Sequence, residues 1–484
     1  MLHRITVAPV QRNISAAHGA NLLDVLRRAG LSVHAPCGGA GQCGKCKVLL
    51  DGQEVLSCQT VIDRDMTVTL PSAGAEAILT EGIGAQGEIA PVKDGYLLAF
   101  DIGTTTVAGY LLDGKTGLTL ASDSRLNPQS AFGADVISRI RHALSGRMED
   151  LTTGIRRCVE EIALALCDRS GISPAEIGVI SVVGNPAMQL LFLGIIPDNL
   201  ARIPFAPVLT QAEAVSAKTI LSICENAALL IVPDIAGFVG ADTVACVLAT
   251  RLDEQESVTL LVDIGTNGEM VLGNRHRMVA CSTAAGPALE GASITCGMRG
   301  QAGAIDHVWV ENGELNYSVI GGGEAMGICG SGLIDAVAAA LELGWLNSRG
   351  RIQNEDRIIC LSERVYLTQD DIRQVQMAKG AIAAGIELMA AHLGMELNEI
   401  GQVYLAGAFG TYMNPGSACR MGLLPAALAG KITAVGNAAG SGAKLLARNA
   451  EKLDHAQLLV SRIEFLELAA LPDFQRCFAK NMRF

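Results

Sequence analysis

Four cysteines in a short segment have a spacing that is typical of an iron–sulfur site. A [2Fe–2S] cluster needs four ligands, and the plant-type ferredoxin run differs from the spacing found here by one residue in its first gap. Glycines between these cysteines let the loop wrap tightly and point N–H groups at sulfur. The spacing is Cys-x5-Cys-x2-Cys-x11-Cys, formed by Cys37, Cys43, Cys46 and Cys58.

A zinc knuckle with four cysteines is the alternative for this segment. Such knuckles usually contain two short Cys-x2-Cys pairs, whereas this segment contains one, between Cys43 and Cys46. The chain has 14 cysteines, and those outside residues 37–58 are scattered along it. The sequence therefore favours a [2Fe–2S] cluster over zinc.

A second site is indicated by two copies of one short motif. Residues 99–106 read Ala-Phe-Asp-Ile-Gly-Thr-Thr-Thr, and residues 261–269 read Leu-Val-Asp-Ile-Gly-Thr-Asn-Gly-Glu. Each copy follows an apolar run and precedes another β-rich run, a pattern that predicts a strand, a tight turn and a second strand. Because the motif occurs twice, an internal duplication is favoured over a chance strand and turn.

The residues of this motif suit a nucleotide phosphate. A carboxylate at the end of each strand can hold hydrated Mg²⁺, and a glycine after it lets the backbone approach a ligand. The following hydroxyl, amide and N–H groups can bind phosphate oxygens. The predicted catalytic residues are Asp101, Asp263 and Glu269. The predicted phosphate-binding residues are Gly103, Thr104, Thr105, Thr106, Gly265, Thr266, Asn267 and Gly268.

Two later glycine-rich segments add candidates for nucleotide binding. Gly330, Ser331 and Gly332 precede a predicted helix, and helix N-termini after such loops suit anions. A strand predicted over 403–406 runs into a turn that contains Gly407, Ala408 and Gly410. A run of small residues over 435–442 then opens another helix. Small residues there permit the close approach of adenine, or equally the tight packing of a helix against a strand.

Composition excludes several classes of function. A net charge of −12 and 4 % aromatic residues argue against binding to nucleic acid. No apolar run approaches the roughly 18 residues that a spanning helix needs, and no signal peptide is apparent at the N-terminus. The sequence predicts a soluble cytoplasmic protein with neither a nucleic-acid partner nor a membrane partner.

The order of the predicted elements divides the chain into a small module and a larger α/β domain. Residues 1–75 predict a β-grasp ferredoxin-like domain, with strands over 2–8, 47–50 and 66–70 and a helix that begins after Asn21. Residues 76–95 are rich in glycine and alanine and predict a flexible linker. Strands and helices then alternate over 96–484, with one lobe at about 96–255 and another at about 256–484.

The duplicated motifs and the late glycine turn resemble the acetate and sugar kinase/Hsp70/actin superfold, in which two lobes close on ATP. Further motifs at 127–129, 133–137, 184–188 and 327–332, joined to the ferredoxin module, make the whole chain resemble the reductive activators of corrinoid-dependent enzymes. The resemblance implies a multidomain α/β ATPase that uses ATP to pass an electron to the cob(II)amide of a corrinoid methyltransferase protein. That electron restores cob(I)amide and comes from an upstream donor.

The resemblance also assigns roles to the candidate residues. The four cysteines would carry the electron, and Asp101, Thr104, Thr105, Asp263, Thr266 and Asn267 would hold phosphates and Mg²⁺. Two other functions stay open: a small-molecule kinase with an attached iron–sulfur redox sensor, and an electron-transfer protein whose nucleotide site only regulates docking. The oligomeric state is also open, with a homodimer as one option.

Overall fold

The computed structural model describes residues 2–8, 12–29, 31, 33, 41, 46–70, 82–83 and 88–484. Cys37 and Cys43 therefore lie outside the described residues, as do residues 71–75 of the predicted ferredoxin-like module and residues 76–81 and 84–87 of the predicted linker. The described residues fold into a small N-terminal sheet with one packed helix and two larger mixed sheets that are surrounded by helices.

At the centre of the N-terminal sheet, the first strand of the module pairs with its last strand, although the two are far apart in sequence. Its elements are β1 (Leu2–Ala8), β2 (Arg12–Ala17), α1 (Leu22–Arg28), β3 (Lys47–Leu50), β4 (Gln53–Leu56) and β5 (Met66–Thr69). The strand order is β2-β1-β5-β3-β4, and β1 runs parallel to β5. Asn21 caps α1, and Leu22, Leu23 and Leu26 are buried against the sheet. The predicted β-grasp fold is confirmed.

The first large sheet contains the first Asp-Gly-Thr motif. Its elements are β6 (Tyr96–Ile102), β7 (Thr106–Leu112), β8 (Thr119–Leu126), α2 (Val136–His142), α3 (Met148–Ser170), β9 (Ile177–Gly184), α4 (Pro186–Leu193), β10 (Glu213–Ser216), β11 (Ala228–Ile231) and α5 (Ala241–Thr250). The strand order is β10-β11-β9-β6-β7-β8. Strands β6, β7 and β8 form an antiparallel meander, and β9 runs parallel to β6.

The second large sheet contains the second motif. The elements of this region are β12 (Thr259–Ile264), β13 (Gly268–Gly273), β14 (Met278–Thr283), β15 (Ala304–Glu311), β16 (Glu314–Val319), β17 (Gly327–Ile328), α6 (Gly330–Glu342), β18 (Ile358–Cys360), β19 (Tyr366–Thr368), α7 (Gln369–Leu393), β20 (Gln402–Ala406), α8 (Gly407–Tyr412), α9 (Pro415–Arg420), β21 (Ile432–Gly436), α10 (Ala438–Arg448), α11 (Ala450–Arg462), β22 (Ile463–Phe465) and α12 (Phe474–Asn481). The sheet order is β21-β20-β12-β13-β14-β22.

The two sheets repeat one topology. In each, a three-strand meander is extended from its first strand by two parallel strands: β9 and β11 beside β6, and β20 and β21 beside β12. Both Asp-Gly-Thr motifs consequently lie at the same end of equivalent strands. The predicted duplication and the two-sheet α/β architecture are confirmed.

Helices α5 and α10 join the two halves. They pack on each other, and α10 also packs on β6 and β9 of the first sheet, although it directly follows β21 of the second sheet in sequence. A Cβ atom added to Gly442 would lie less than 3.0 Å from the carbonyl oxygen of Ala245, so the crossing depends on glycine. One buried core contains side chains of both helices and of both sheets.

Three predicted boundaries differ from the structure. The sequence predicts a helix over 379–393, but α7 begins at Gln369, because Thr368 and Asp371 form a reciprocal capping box. The sequence also predicts a helix over 133–144, but α2 covers Val136–His142 and is followed by a π-helical turn over 143–147, in which Gly146 has a φ of 85°. The segment predicted as a turn after β20 is instead the first turn of α8.

Two described residues of the predicted linker attach to α10. Gly82 pairs with Gly436 just before that helix. Ala90 accepts from the N–H of Ala450 and donates to the carbonyl of Arg448 at the other end of α10, both at 2.9 Å. Gly82 and Ala90 thus attach at opposite ends of this helix. Among the described residues, no helix has both the length and the apolar character needed to cross a membrane.

Two glycine substitutions test the helix crossing. Gly442→Ala should lower the free energy of unfolding by about 1–3 kcal/mol, because the added methyl group meets backbone at the α5–α10 contact. Gly154→Ala is the matched control within helix α3, where an added Cβ would have only an ordinary contact at 3.8 Å. It should stabilise by about 0.5–1 kcal/mol. Denaturant unfolding measures both, and equal effects would contradict the assigned crossing.

Candidate nucleotide and cluster sites

Both Asp-Gly-Thr loops are closed by a hydrogen bond from the N–H of their glycine, although the bond spans three residues in the first loop and two in the second. The N–H of Gly103 donates to the carbonyl of Thr106 at 2.9 Å, and that of Gly265 donates to the carbonyl of Asn267 at 2.8 Å. Each loop therefore closes a tight turn between two antiparallel strands. The hydroxyl and N–H groups predicted to bind phosphate lie in these turns, at the point where the two sheets face each other.

Four carboxylates gather beside these loops. Asp101 and Asp263 lie near the ends of β6 and β12, and Glu269 is the direct cross-strand partner of Asp263. Asp242, which the sequence analysis did not identify, belongs to the first turn of α5. All four side chains are half-buried. The structure thus brings the three predicted catalytic residues together and adds a fourth.

Burial raises the pKa of all four carboxylates, and repulsion from neighbouring carboxylates adds to it at three of them. Burial, followed by repulsion from Asp242, raises the pKa of Asp101 to about 7. Burial and Asp263 raise the pKa of Asp242 to about 7, and burial raises the pKa of Asp263 to about 6. The pKa of Glu269 is raised well above its usual value, for the same reasons. Among the described residues, no three acidic, His or Cys side chains are grouped closely enough to hold a metal ion by themselves. Mg²⁺ usually binds through one or two carboxylates together with nucleotide phosphates, and its charge would favour the ionised forms.

Asn437 connects α10 to the first motif. Its amide nitrogen lies 2.9 Å from Asp101 Oδ2 and 3.2 Å from the hydroxyl of Tyr110. Its amide oxygen accepts from the N–H of Gly440 at 2.6 Å and caps α10. The small-residue run over 435–442 therefore orients a predicted catalytic carboxylate and permits the helix crossing. Its predicted contact with adenine stays a prediction.

Side chains from the flanking segments hydrogen-bond to the first Asp-Gly-Thr loop and fix its position. The amide of Asn127 donates to the carbonyl of Gly103 at 2.8 Å, and that of Asn185 donates to the hydroxyl of Thr104 at 3.2 Å. Arg139, which is 0 % exposed, donates to the carbonyl of Thr104. Burial lowers the pKa of this guanidinium to about 9. These contacts give the motifs at 127–129 and 184–188 a positioning role.

Glu290 joins the two loops. Its Oε2 accepts from the hydroxyl of Thr105 at 3.4 Å and from that of Thr266 at 3.2 Å. Thr105 belongs to the first motif and Thr266 to the second, so one carboxylate oxygen spans both. Glu290 follows no recognisable motif in the sequence, and no local signal indicated it.

The second loop is also bordered by Gly407. This residue has a φ of 80°, and an added Cβ would lie 2.7 Å from Asp263 Oδ1. A side chain there would intrude on a predicted Mg²⁺ ligand. Gly410 packs against Leu405 from within α8. The predicted nucleotide contacts of Gly407, Ala408 and Gly410 stay predictions.

The glycine-rich start of α6 has a packing role. An added Cβ at Gly330 or Gly332 would collide with the backbone carbonyl of Leu289 or Ile305, respectively. The hydroxyl of Ser331 donates to the carbonyl of Asp306 at 2.9 Å. These contacts account for the small residues, and their predicted nucleotide contacts stay predictions.

Two of the four predicted cluster ligands lie in the described residues. Cys46 precedes β3 and Cys58 follows β4, so both lie at the open end of one hairpin. The carbonyl of Cys46 accepts from the N–H and from the hydroxyl of Ser57 at 2.9 and 3.0 Å. Cys46 is 1 % exposed, as suits a sheltered thiolate ligand. This arrangement fits the proposed cluster, and the complete set with Cys37 and Cys43 stays a prediction.

The fold and the two sites define an ASKHA-type ATPase domain joined to a [2Fe–2S] ferredoxin domain. Three family models together match most of the chain. The 2Fe-2S iron-sulfur cluster binding domain matches residues 5–69, the RACo middle region matches 96–255, and the C-terminal ASKHA domain of RACo matches 257–484. The chain belongs to the RACo family of reductive activators.

Individual relatives agree with this assignment. The corrinoid activation enzyme RamQ of Eubacterium limosum is 36 % identical over 80 % of this chain and 70 % of its own length. A [Co(II) methylated amine-specific corrinoid protein] reductase of Methanosarcina barkeri is 28 % identical over 76 % and 73 %. The solved structure of a reductive activator for a corrinoid, iron-sulfur protein aligns with a TM-score of 0.74, at 27 % identity over 100 % and 98 %.

Replacing Asp242 tests the electrostatic description of the site. In the folded protein the pKa of Asp242 is raised from 3.8 to about 7. Ionisation of this carboxyl therefore destabilises the folded state as the pH rises through that interval. Asp242→Asn should therefore increase the free energy of unfolding by about 2 kcal/mol above pH 7, after allowance for solvent screening. The gain should vanish below about pH 4.

Thermal or denaturant unfolding at several pH values measures this effect. Asp454→Asn, on the exposed face of α11, is the matched control and should change little at any pH. A pH-independent effect of Asp242→Asn, or a loss of stability at pH 8, would show that the four carboxylates do not repel one another as described.

Proposed function

We propose that this protein is an ATP-dependent reductive activator of a corrinoid protein that serves a methyltransferase. It passes one electron to inactive cob(II)amide and restores cob(I)amide. One observation supports the proposal most directly. In this chain of the RACo family, a cysteine-containing module of the cluster-binding type is joined to a domain in which carboxylates lie between two duplicated sheets. An upstream donor must supply each electron.

The proposed division of labour follows the two sites. Residues 1–75 would form the electron-carrying domain, 76–95 the connection, and 96–484 the ATPase. When bound, the [2Fe–2S] cluster supplies a one-electron carrier. Asp101 and Asp263 would hold Mg²⁺ from opposite sheets, and the loop hydroxyls and N–H groups would hold the phosphates. Asn437 and Arg139 position the first loop through the contacts described above.

ATP is needed when the acceptor is harder to reduce than the donor. Plant-type [2Fe–2S] centres lie near roughly −400 mV, and each ~59 mV of deficit costs a one-electron donor about tenfold in equilibrium. Cleft closure on ATP can offset such a deficit if the closed form binds one state of the corrinoid partner more tightly. Binding energy for the partner is thereby coupled to electron transfer.

The proposal is tested with the reduced protein and a corrinoid protein in the cob(II)amide state under anaerobic conditions. The cob(I)amide absorbance should rise with ATP and should not rise without nucleotide. Asp101→Asn and Asp263→Asn should each lower the ATP-dependent rate by roughly 100-fold, because each removes a ligand from the nucleotide site. The visible spectrum of the cluster should be unchanged, since these residues lie in a different domain.

Asp454→Asn is the control and should retain the wild-type rate. ATP-independent formation of cob(I)amide would contradict the proposal and favour an electron-transfer protein that nucleotide only regulates. Loss of the cluster spectrum in the Asp263→Asn protein would contradict the division of labour. A phosphorylated small molecule among the products would favour the kinase alternative.

A further inference from the structure

Glu290 lies at the meeting point of the two phosphate loops. Its Oε2 is 3.4 Å from the hydroxyl oxygen of Thr105 and 3.2 Å from that of Thr266. The loops belong to different sheets and come from positions far apart in sequence. A single carboxylate oxygen therefore closes a hydrogen-bonded bridge across the cleft.

The bridge uses the same hydroxyl protons that a phosphate group would need. A threonine hydroxyl has one proton to donate, so it cannot donate to Glu290 and to a phosphate oxygen at once. Both Thr105 and Thr266 are predicted to bind phosphate. A carboxylate and a phosphate are also both anionic acceptors, so they suit the same pair of donors and repel each other when close.

Neighbouring groups partly offset the cost of burying the Glu290 carboxylate. Burial raises the pKa of Glu290, and this effect outweighs the others. Hydrogen bonds from the two threonines and the positive charges of Arg299 and Arg139 act in the opposite direction. The residue ends a short turn, Pro287–Glu290, in which Leu289 is fully buried. The carboxylate is thus presented from an anchored segment.

We propose that Glu290 is a positioning residue that holds the two loops together through its carboxylate and that nucleotide phosphate displaces it from the threonine hydroxyls. The two halves of the ATPase are then joined either by the Glu290 carboxylate or by the nucleotide phosphate. Breaking the carboxylate bridge is part of the cost of binding ATP, so Glu290 sets nucleotide affinity. This inference rests on the proposed function, because it requires that the cleft binds nucleotide.

Glu290→Gln tests the inference with little change in shape. The amide oxygen still accepts from both hydroxyls, but it does so as a neutral group and does not repel phosphate. The dissociation constant for Mg²⁺·AMP-PNP, measured by calorimetry on the full chain with its cluster, should fall roughly tenfold. Glu290→Ala removes the bridge altogether and should show the same direction of change.

Steady-state ATP hydrolysis distinguishes an effect of Glu290 on nucleotide affinity from an effect on the chemical step. The KM for ATP should fall in parallel with the dissociation constant, while kcat should stay within roughly threefold of the wild-type value. Glu311→Gln, an exposed residue at the end of β15, is the matched control and should bind nucleotide like the wild type. Thermal unfolding and the cluster spectrum check that each variant is folded.

Other outcomes would overturn the inference. Weaker nucleotide binding in Glu290→Gln would mean that the carboxylate assists Mg²⁺ or phosphate. Unchanged binding with a large loss of kcat would assign it to the chemical step. If the folded wild-type protein fails to bind Mg²⁺·AMP-PNP, the proposed function and this inference both fail. If the wild type binds and the two Glu290 variants bind no more tightly, only this inference fails.

Discussion

Several half-buried carboxylates lie near one another at the junction of the two sheets, and this is the constraint on which the rest of the ATPase depends. Asp101 comes from β6, Asp263 from β12 and Asp242 from α5, so no single element contains the site. Burial raises the pKa of all three groups, and repulsion from neighbouring carboxylates adds to it at Asp101 and Asp242. A divalent cation bound between the sheets would offset this cost, so we expect nucleotide binding to depend on the packing of the two halves.

Helix α10 connects these carboxylates to the rest of the chain. Asn437 at its start holds Asp101, and Gly442 at its middle permits the crossing with α5. Its two ends are attached to Gly82 and Ala90, in the segment that follows the ferredoxin module. A displacement of α10 on nucleotide binding would therefore reach the connection to the electron-carrying domain, without a separate transmitting element.

Features that depend on local sequence patterns could be predicted from the sequence alone. The strand ends at Asp101 and Asp263 followed from a repeated motif, and the β-grasp module followed from cysteine spacing and strand periodicity. Asp242 and Glu290 could not be predicted, because their roles depend on contacts with residues far away in the chain. Gly330 and Gly332 were ambiguous since glycine serves both anion loops and close packing. The capping box of Thr368 and Asp371 is a local pattern, and it places the start of α7 at Gln369, ahead of the predicted start at Lys379.

The central claim, that the carboxylates bind Mg²⁺ and nucleotide between the sheets, is tested most directly by counting protons. Calorimetric titration with Mg²⁺·AMP-PNP at about pH 7, in two buffers of different ionisation enthalpy, gives the number released. Because the cation favours ionised carboxylates whose pKa values lie near 6 and 7, binding should release protons, and Asp242→Asn should release fewer. Equal proton release by the wild type and this variant, or net uptake, would contradict the account.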